Sequence, residues 1–508
     1  MAERKVLFEN ARVITLDRVR ACASWFVTQG GDIQRMGEGP PPSVSQSVDL
    51  GDRVIIPGFV DAHAHVFQTG LDKVLVDLSA ARSVDGIIER VKATVDHRKG
   101  WIFAHSYDEE NLVDVRRLTR HHLDAAFPNH PVWITRVDYH SAVVNQAALR
   151  RLRIPEGMNG LLREHGTPNG ILRSDAYFYA KARVARSYPV GLKERGLKAA
   201  MDGFVENGVT AVHALEGGRL FGDDGAHAVL KRAQHMPLHL TFFLQEENVF
   251  FSTQFGFRHL GGCILVDGSI GSYTAALDHD YQGLPGQRGV LYMKARALGA
   301  FVDEAHQAGV QLAFHAIGPR AIEMVLGAYE RALDKAPRFD HRHRIEHFEL
   351  ASDDHIHRAR DLGLVISMQP SFEHFWGGPD GMYAARLGEG WRQTNRLRSI
   401  LDAGIVIAGG SDTNVTPSIP LLGIHAAVNH PNPEQRVTPM EALRMFTHDA
   451  AYGAFGEGER GSITPGKEAN FVVLSDDPLT TAPEKIRDIE VLETWYRGKR
   501  TYRKADVA

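Results

Sequence analysis

The chain has 508 residues, 43% of them hydrophobic, enough for a large buried core and more than one small domain. A formal net charge of −4 and a pI near 6.7 give no sign of the basic face typical of nucleic-acid-binding proteins. No stretch reaches the roughly 18 uninterrupted apolar residues of a membrane helix, and the N-terminus lacks the apolar core of a signal peptide. With only Cys22 and Cys263, the composition favours a reducing, cytoplasmic compartment.

The two ends of the chain share a pattern of short β-strands. KVLFENARVITLD, SWFVTQGGDIQRMG and SVDLGDRVIIPG stand at the start, separated by turn residues. The same pattern returns in GSITPGKEANFVVL and VLETWYRGKRTYR near the end. We therefore predict that residues 1–57 and 456–508 pair into one small β-sandwich side domain.

The middle of the chain contains eight short apolar runs, with helix-compatible segments between them from the second run onward. The runs span 59–65, 208–215, 238–245, 262–268, 310–318, 344–349, 364–370 and 405–412. Strands that alternate with helices predict a parallel sheet, and eight such units predict an α/β fold of the (β/α)8 barrel type over residues 58–455. Because the gap after the first run is too long for one βα connection, residues 71–205 are predicted to form an inserted subdomain over the barrel mouth.

Polar side chains stand where several of these runs end. His63 and His65 end the first run, in PGFVDAHAH, and residues i and i+2 of a strand point to the same face. A His-x-His pair also arises by chance in a chain with 26 histidines. However, His315, His347 and Asp412 end the fifth, sixth and eighth runs, at the same end of a barrel. Imidazole nitrogens with a carboxylate suit a borderline divalent cation, so we predict one or two divalent ions there, most simply Zn²⁺.

The segments PGFVDAHAH, HAIGPRA, RIEHFE, GGSDT and GSITPGKEANFVVL together resemble the amidohydrolase superfamily, over nearly the whole chain. DYHSAVVNQAAL and VDGSIGSYTAAL resemble its amidohydrolase-3 type group, which contains N-substituted formamide deformylase and, more distantly, D-aminoacylase. The resemblance implies a metal-dependent hydrolase of carbon–nitrogen bonds other than peptide bonds. It also implies that His63, His65 and Asp412 bind the more buried ion and that His315 and His347 bind a second one.

The resemblance places a bridging carboxylated lysine four residues before the Asp of an Asp-Gly pair, which is Asp267 here. The residue at that position is Cys263. A thiolate binds zinc at about 2.3 Å and can bridge two ions, and D-aminoacylase-like enzymes also use a cysteine in this way. Cys263 is therefore predicted to be a metal ligand. The alternative is a small buried hydrophobic residue on a barrel strand.

Other positions depart from the family pattern or follow a strand. Pro319, in HAIGPRA, stands where the family has an acidic residue, and Tyr273 stands where an arginine is usual. The resemblance places His140 near the substrate or leaving group, as a catalytic residue, with subdomain packing as the alternative. Phe372 and Trp376 follow the seventh run and, with Tyr273, are expected to contact substrate, with ordinary packing as the alternative.

The sequence therefore predicts a metal-dependent amidohydrolase that cleaves an amide, formamide or related bond of a small molecule. Asp412 would take a proton from metal-activated water and deliver it to the departing nitrogen. Two alternatives stay open: a deaminase, lactonase or decarboxylase on the same scaffold, and a degenerate protein that only binds. We expect a small-molecule substrate, no nucleic-acid or membrane partner, and a homo-oligomer, with a dimer favoured.

Overall fold

A computed structural model of the chain describes residues 4–94, 100–109, 112–113, 117–137, 139, 141–218 and 223–505. The chain divides into two compact units. The first comprises Met1–His65, Met201–Leu215 and Ala233–Ala508, and the second comprises Val66–Ala200 and Glu216–Arg232. Within the described residues, no helix is long and apolar enough to cross a membrane.

The strands form three sheets, one of eight strands from the two chain ends, one of six, and one of eight that is the barrel. In chain order they are β1 (Lys5–Ile14), β2 (Cys22–Ala23), β3 (Trp25–Gln29), β4 (Asp32–Gly37), β5 (Ser47–Pro57), β6 (Phe59–Ala64), β7 (Val76–Asp77), β8 (Ile102–Tyr107), β9 (Val132–Arg136), β10 (Ser141–Val144), β11 (Leu161–Glu164), β12 (Thr167–Arg173), β13 (Val209–Glu216), β14 (His239–Leu244), β15 (His259–Leu265), β16 (Gln311–Ala316), β17 (Arg344–His347), β18 (Val365–Met368), β19 (Ile407–Gly409), β20 (Phe471–Leu474), β21 (Val491–Tyr496) and β22 (Lys499–Arg503).

Along the chain, helices separate most of the barrel strands, and further helices lie in the segments that contain the strands of the other sheets. In chain order they are α1 (Val66–Asp72), α2 (Val84–Thr94), α3 (Arg120–Ala126), α4 (Gln146–Leu152), α5 (Ser174–Ala185), α6 (Val190–Glu206), α7 (Asp223–Arg232), α8 (Val249–Gln254), α9 (Ala295–Gln307), α10 (Pro319–Lys335), α11 (Asp353–Asp361), α12 (Ser371–Trp376), α13 (Met382–Leu387), α14 (Leu397–Asp402), α15 (Pro420–Val428), α16 (Pro439–Met445) and α17 (His448–Tyr452).

The predicted barrel is confirmed. Its strands follow the order β19-β18-β17-β16-β15-β14-β13-β6, with parallel pairing. The ring closes between its last and first strands, where the backbone N–H of His65 donates to the Thr413 carbonyl at 2.7 Å. The N–H of Asp412 donates to the His63 carbonyl at 2.8 Å. Closure therefore fixes the backbone of the eighth run against that of the first, at the level of their polar ends.

A buried carboxylate reinforces this closure. Asp61 accepts hydrogen bonds from the backbone N–H of Ser411 at 2.9 Å and from the hydroxyls of Ser411 and Ser418, both at 2.6 Å. Its side chain is 1% exposed, so these donors replace the water that the carboxylate loses on folding. The Asp of PGFVDAHAH therefore connects the first strand to the segment that follows the eighth.

Each of the eight predicted runs overlaps a barrel strand, but the fourth strand begins earlier than predicted. It starts at His259, whereas the apolar run was taken to start at Gly262. Gly261 and Gly262 have φ values of +88° and +100°, which L side chains rarely adopt. The strand carries an irregularity here, since its pairing with β16 shifts after Gly261. The glycine pair therefore lies at a break in register within the strand.

The side-domain sheet contains strands from both chain ends, in the order β22-β21-β20-β5-β1-β3-β4. Its core includes four aromatic rings, those of Phe8, Phe26, Phe471 and Trp495. The Phe471 ring centroid lies 5.1 Å from those of Phe8 and Phe26, both edge to face, and 5.4 Å from that of Trp495. Since these rings come from strands of both ends, the aromatic cluster joins the N-terminal and C-terminal segments.

The second unit contains the six-stranded sheet, in the order β11-β12-β10-β9-β8-β7. The rings of Trp133 and Tyr177 stack in its core with centroids 5.7 Å apart. A further cluster of aliphatic side chains, including Ile87, Val91 and Ile134, packs α2 against this sheet. The boundaries drawn from the sequence, including the insertion at 71–205, stay predictions.

Removing one ring from the side-domain cluster should destabilise the protein. Phe471→Ala deletes a fully buried ring, and such truncations cost about 3–5 kcal/mol. The midpoint of urea-induced unfolding, followed by tryptophan fluorescence, should therefore fall. Phe339→Ala is the control, because that side chain is fully exposed, at 101%. Equal midpoints for the two variants would contradict the assignment of the aromatic cluster as the side-domain core.

Candidate metal centre

The six predicted donor residues lie together at the carboxyl ends of barrel strands. Such strand ends meet at one rim of a barrel, so residues far apart in sequence converge there. Every donor side chain belongs to a residue that is at most 9% exposed. The six are His63, His65, Cys263, His315, His347 and Asp412.

Distances between donor atoms divide the cluster into two overlapping groups. The Oδ1 of Asp412 lies 3.1 Å from Nε2 of His65 and 3.3 Å from Nε2 of His63. The Sγ of Cys263 lies 3.5 Å from Nε2 of His65 and 3.7 Å from Nε2 of His63. The donor atoms of His63, His65 and Asp412 lie within 4.8 Å of one another, as do those of His63, Cys263 and His347. His63 is common to both groups, and Cys263 lies beside the first.

The outer nitrogens of the first two histidines are already hydrogen-bonded. Nδ1 of His63 lies 2.7 Å from Oε2 of Glu346, and Nδ1 of His65 lies 3.0 Å from the carbonyl oxygen of Leu215. A carboxylate and a carbonyl can only accept, so each Nδ1 carries the proton and donates it. Nε2 is therefore the nitrogen of each ring that faces Oδ1 of Asp412 and that a bound cation would use.

Three of the donor atoms have no hydrogen bond of acceptable geometry among the described residues. Neither ring nitrogen of His347 has a hydrogen-bond partner within the described parts of the chain, although the residue is only 1% exposed. Oδ1 of Asp412 also makes no hydrogen bond of acceptable geometry there, despite its closeness to two histidines. A buried polar atom without a partner costs about 1–3 kcal/mol. A set of nitrogen, sulfur and carboxylate donors of this kind fits a divalent ion such as zinc.

The electrostatics of the cluster also favour added positive charge. Burial alone would lower the pKa of His65, but the Cys263 thiolate and the Asp412 carboxylate raise it to about 10. Burial would raise the pKa of Cys263, yet His65 and the other histidines hold it well below its usual range. Burial would likewise raise the pKa of Asp412, which His63 and His65 hold well below normal. Two anions in a buried cluster thus attract protons or a metal ion.

His315 stands slightly apart from the other donors. Its ring centroid lies 4.4 Å from that of His347, but its Nε2 lies 3.1 Å from the carbonyl oxygen of Gly268. Because that nitrogen donates to a carbonyl, Nδ1 is the one with a free lone pair. Burial would lower the pKa of His315, but interaction with the Cys263 thiolate raises it. His315 thus differs from His63 and His65, which present Nε2.

Asp267, from which the position of Cys263 was counted in the sequence, has a structural role. It accepts hydrogen bonds from the backbone N–H groups of Ala276 and Gly318, both at 2.8 Å, and of Ile317 at 3.0 Å. It is fully buried. The carboxylate therefore holds the loop after the fourth barrel strand against the end of the fifth, next to His315.

Two donor residues have backbone conformations that side chains rarely adopt. His347 has a φ of +71° and Asp412 a φ of +54°. A residue other than glycine in the left-handed region costs of order 1–3 kcal/mol and persists only where the surroundings impose it. At Asp412 the hydrogen bond of its own N–H to the His63 carbonyl is one such constraint.

The predicted substrate residues Tyr273, Phe372 and Trp376 belong to one hydrophobic cluster. The Phe372 ring lies 4.8 Å from the Trp376 ring and 6.0 Å from the ring of His347, to which it is nearly parallel. The guanidinium of Arg386 lies over the Tyr273 ring at 4.1 Å. The cluster therefore adjoins the donor residues through Phe372, and substrate contact by these aromatic residues stays a prediction.

Two other positions singled out in the sequence have different outcomes. Pro319 occupies the first turn of α10, where its missing N–H and restricted φ are favourable. The loss of an acidic residue there therefore has a local structural reason. His140, predicted as a catalytic residue, lies outside the described residues.

Sequence reasoning missed two buried carboxylates. Glu346 accepts from His63, and although burial would raise its pKa, Arg344 and His63 hold that pKa below its usual range. Glu349 accepts from the Tyr383 hydroxyl at 2.6 Å, and burial raises its pKa to about 7. Both lie in the segment RIEHFE. There Arg344 and Glu346 are two residues apart on one strand, a spacing that puts both side chains on the same face, and this was the signal available in the sequence. Nothing in the sequence pointed to Tyr383.

Known proteins resemble this chain over most of its length. Residues 46–502 match the Amidohydrolase family. A putative amidohydrolase, YtcJ of Bacillus subtilis (strain 168), is 29% identical over 94% of each chain. The N-substituted formamide deformylase of Arthrobacter pascens is 26% identical over 98% of each chain. In fold, the chain resembles an uncharacterized metal-dependent hydrolase from Pyrococcus furiosus, with a TM-score of 0.76, 24% identity, and 94% of this chain and 100% of that one covered.

The family match spans most of the chain and includes all six donor residues. The barrel on which they lie is the fold that the resemblance implied. The chain belongs to the amidohydrolase family and is a hydrolase.

Proposed function

We propose that this hydrolase is metal-dependent and cleaves a carbon–nitrogen bond of a small amide, formamide or related compound. The observation that carries the proposal is the convergence of six buried donors, among which Asp412 faces the Nε2 atoms of two histidines. The name of the 26% identical formamide deformylase supports the choice of bond. Retention of a competent donor at every expected position argues against a degenerate binding protein.

The donor set would hold the ion through nitrogen, sulfur and carboxylate atoms. His63 and His65 would bind through Nε2, since their Nδ1 atoms are occupied. Cys263 would stand in the place of the family's bridging lysine, with His315 and His347 completing the set. A bound divalent ion lowers the pKa of water toward ~7 and acts as a Lewis acid on a carbonyl.

Asp412 would move the proton during hydrolysis. Its neighbouring histidines keep it ionised at neutral pH, so it can accept a proton from the attacking water. The same carboxyl group would then deliver that proton to the departing nitrogen, which is a poor leaving group until protonated. The aromatic cluster of Tyr273, Phe372 and Trp376 would contact the organic part of the substrate.

The proposal keeps the sequence-based expectations of a small-molecule substrate, a homodimer and a cytoplasmic location. Cys22 is an exposed free thiol, which suits a reducing compartment. Sedimentation velocity on the purified chain would measure the oligomeric state. A screen of N-formyl, N-acyl and cyclic amides would identify the substrate.

Metal removal should abolish turnover of the amide found in that screen. Exhaustive dialysis against a chelator removes the Lewis acid, and stoichiometric Zn²⁺ should restore the rate. Metal content is measured by plasma emission spectrometry in parallel with activity. Full turnover in a preparation verified to be metal-free would disprove the proposed mechanism.

Replacing the carboxyl group of Asp412 by an amide of the same shape should lower turnover. Asp412→Asn should reduce kcat by roughly 10²- to 10⁴-fold, the usual contribution of such a group, or by more if metal is also lost. Asp402→Asn is the control, because that side chain is 65% exposed on the barrel surface. A near-normal kcat in Asp412→Asn with full metal content would assign the proton transfer to another residue.

The two cysteines offer a matched test of the thiolate ligand. Cys263→Ala should reduce bound metal and activity together, because it removes a donor next to His63 and His65. Cys22→Ala changes the exposed thiol and should alter neither quantity. Metal per chain, determined on both variants after identical loading with Zn²⁺, decides the point. Unchanged stoichiometry and turnover in Cys263→Ala would leave Cys263 as core packing.

A further inference from the structure

A buried ion pair lies behind one of the proposed ligands. Arg344 and Glu346 are both 0% exposed, as is His63. Nε and Nη2 of Arg344 donate to the two carboxylate oxygens of Glu346 at 2.8 and 2.9 Å. Oε2 of Glu346 also accepts from Nδ1 of His63 at 2.7 Å. One carboxylate oxygen therefore connects an arginine of the sixth barrel strand to a histidine of the first.

The same arginine also holds the backbone that carries the histidine. Nη2 of Arg344 donates to the carbonyl of Ala62, the residue before His63, at 2.8 Å. Nη1 donates to Nδ1 of His213 at 3.0 Å, and the guanidinium lies 4.3 Å from the Phe243 ring centroid. Arg344 thus makes four hydrogen bonds within the barrel.

This arrangement is more specific than charge burial needs. A bidentate pair alone would satisfy both charges, and buried pairs add little net stability over apolar residues. Here one carboxylate oxygen of Glu346 also accepts a hydrogen bond from the His63 ring, and the guanidinium of Arg344 also donates one to the adjoining Ala62 carbonyl. The first contact constrains the orientation of the imidazole ring, and the second constrains the backbone that carries it.

We propose that Glu346, held by Arg344, is a positioning residue that fixes His63 as an Nε2 ligand and gives the centre its metal affinity. The inference rests on the proposed function, because it requires His63 to bind an ion. A carboxylate behind a ligand histidine holds the tautomer and ring orientation and makes the ring more basic. The loss of such a partner typically weakens metal binding about 10- to 100-fold.

The affinity for Zn²⁺, measured by competition with a chelating dye, tests the proposal. Glu346→Gln keeps the size of the side chain but removes its charge, and should bind Zn²⁺ at least about 10-fold more weakly. The visible absorption of the Co²⁺-loaded variant should also change, since the ligand geometry alters. Because Glu346→Gln leaves the charge of Arg344 unbalanced, the double variant R344M/E346Q, which removes both charges, is measured beside it.

A second arginine–glutamate pair in the same unit provides the control. Arg342 pairs with Glu457 at 2.9 Å and with Asp340 at 2.7 Å, and donates to the Tyr452 carbonyl. Glu457→Gln thus removes a carboxylate partner of an arginine but leaves the hydrogen bonds of the proposed metal-binding histidines unchanged. It should bind Zn²⁺ with wild-type affinity.

The outcomes separate this inference from the proposed function. No Zn²⁺ binding by the wild-type chain would remove the metal centre itself. Wild-type binding with unchanged affinity and Co²⁺ spectrum in a folded Glu346→Gln or double variant would overturn only the positioning role. Failure of both variants to fold where Glu457→Gln folds would assign the pair to the fold and overturn the role as well. Weaker binding confined to the Glu346 variants would support it.

Discussion

The mouth of the barrel buries two anionic donors, the Cys263 thiolate and the Asp412 carboxylate, among histidine nitrogens. Oδ1 of Asp412 lies within 3.3 Å of Nε2 of His63 and of His65, whose Nδ1 atoms donate elsewhere. The Cys263 thiolate lies within 3.7 Å of the same two nitrogens. Buried anions need a positive partner, which protons on these histidines supply in the chain alone and a bound divalent ion would supply in their place. The left-handed backbone of Asp412 adds to the cost that the surrounding structure must offset.

Barrel closure is what brings these donors together. The first and last strands meet through hydrogen bonds at His63, His65 and Asp412 themselves, so the segments that close the ring also carry donors. Asp61 adds a carboxylate to the same junction. A loss of closure would therefore disperse the donor cluster, and stability and chemistry share the same few contacts. This coupling is a direct consequence of placing a site at the ends of parallel strands.

The strands and donors were predictable because both leave local marks in the sequence. Each barrel strand overlaps an apolar run, and the histidine and aspartate donors stand at or near the ends of their runs, as His315 and His347 do. Cys263 stands near the start of its run and was identified through the family resemblance. The irregular start of the fourth strand was not predictable, since the apolar run begins only at Gly262 and no local pattern marks the register shift at Gly261. The contact of Glu346 with His63 joins residues 283 positions apart, and no local pattern specifies which barrel side chains meet across the interior. Tyr383 reaches Glu349 from a helix that follows the next strand, which is equally non-local.

The cysteine at position 263, where the family pattern has a lysine, bears on how many ions the proposed centre would hold. The thiolate and Asp412 carry two negative charges, and the pair of Glu346 with Arg344 is neutral, so one divalent cation balances the buried charge. A thiolate binds zinc at about 2.3 Å through a single atom, whereas a carboxylated lysine offers two oxygens on a long side chain. Nε2 of His315 donates to the Gly268 carbonyl, so this nitrogen is turned away from the other donors. The two donor groups share His63 and therefore resemble one compact set more than two separate sites. In the proposed centre, charge and reach together would favour one tightly held ion over two.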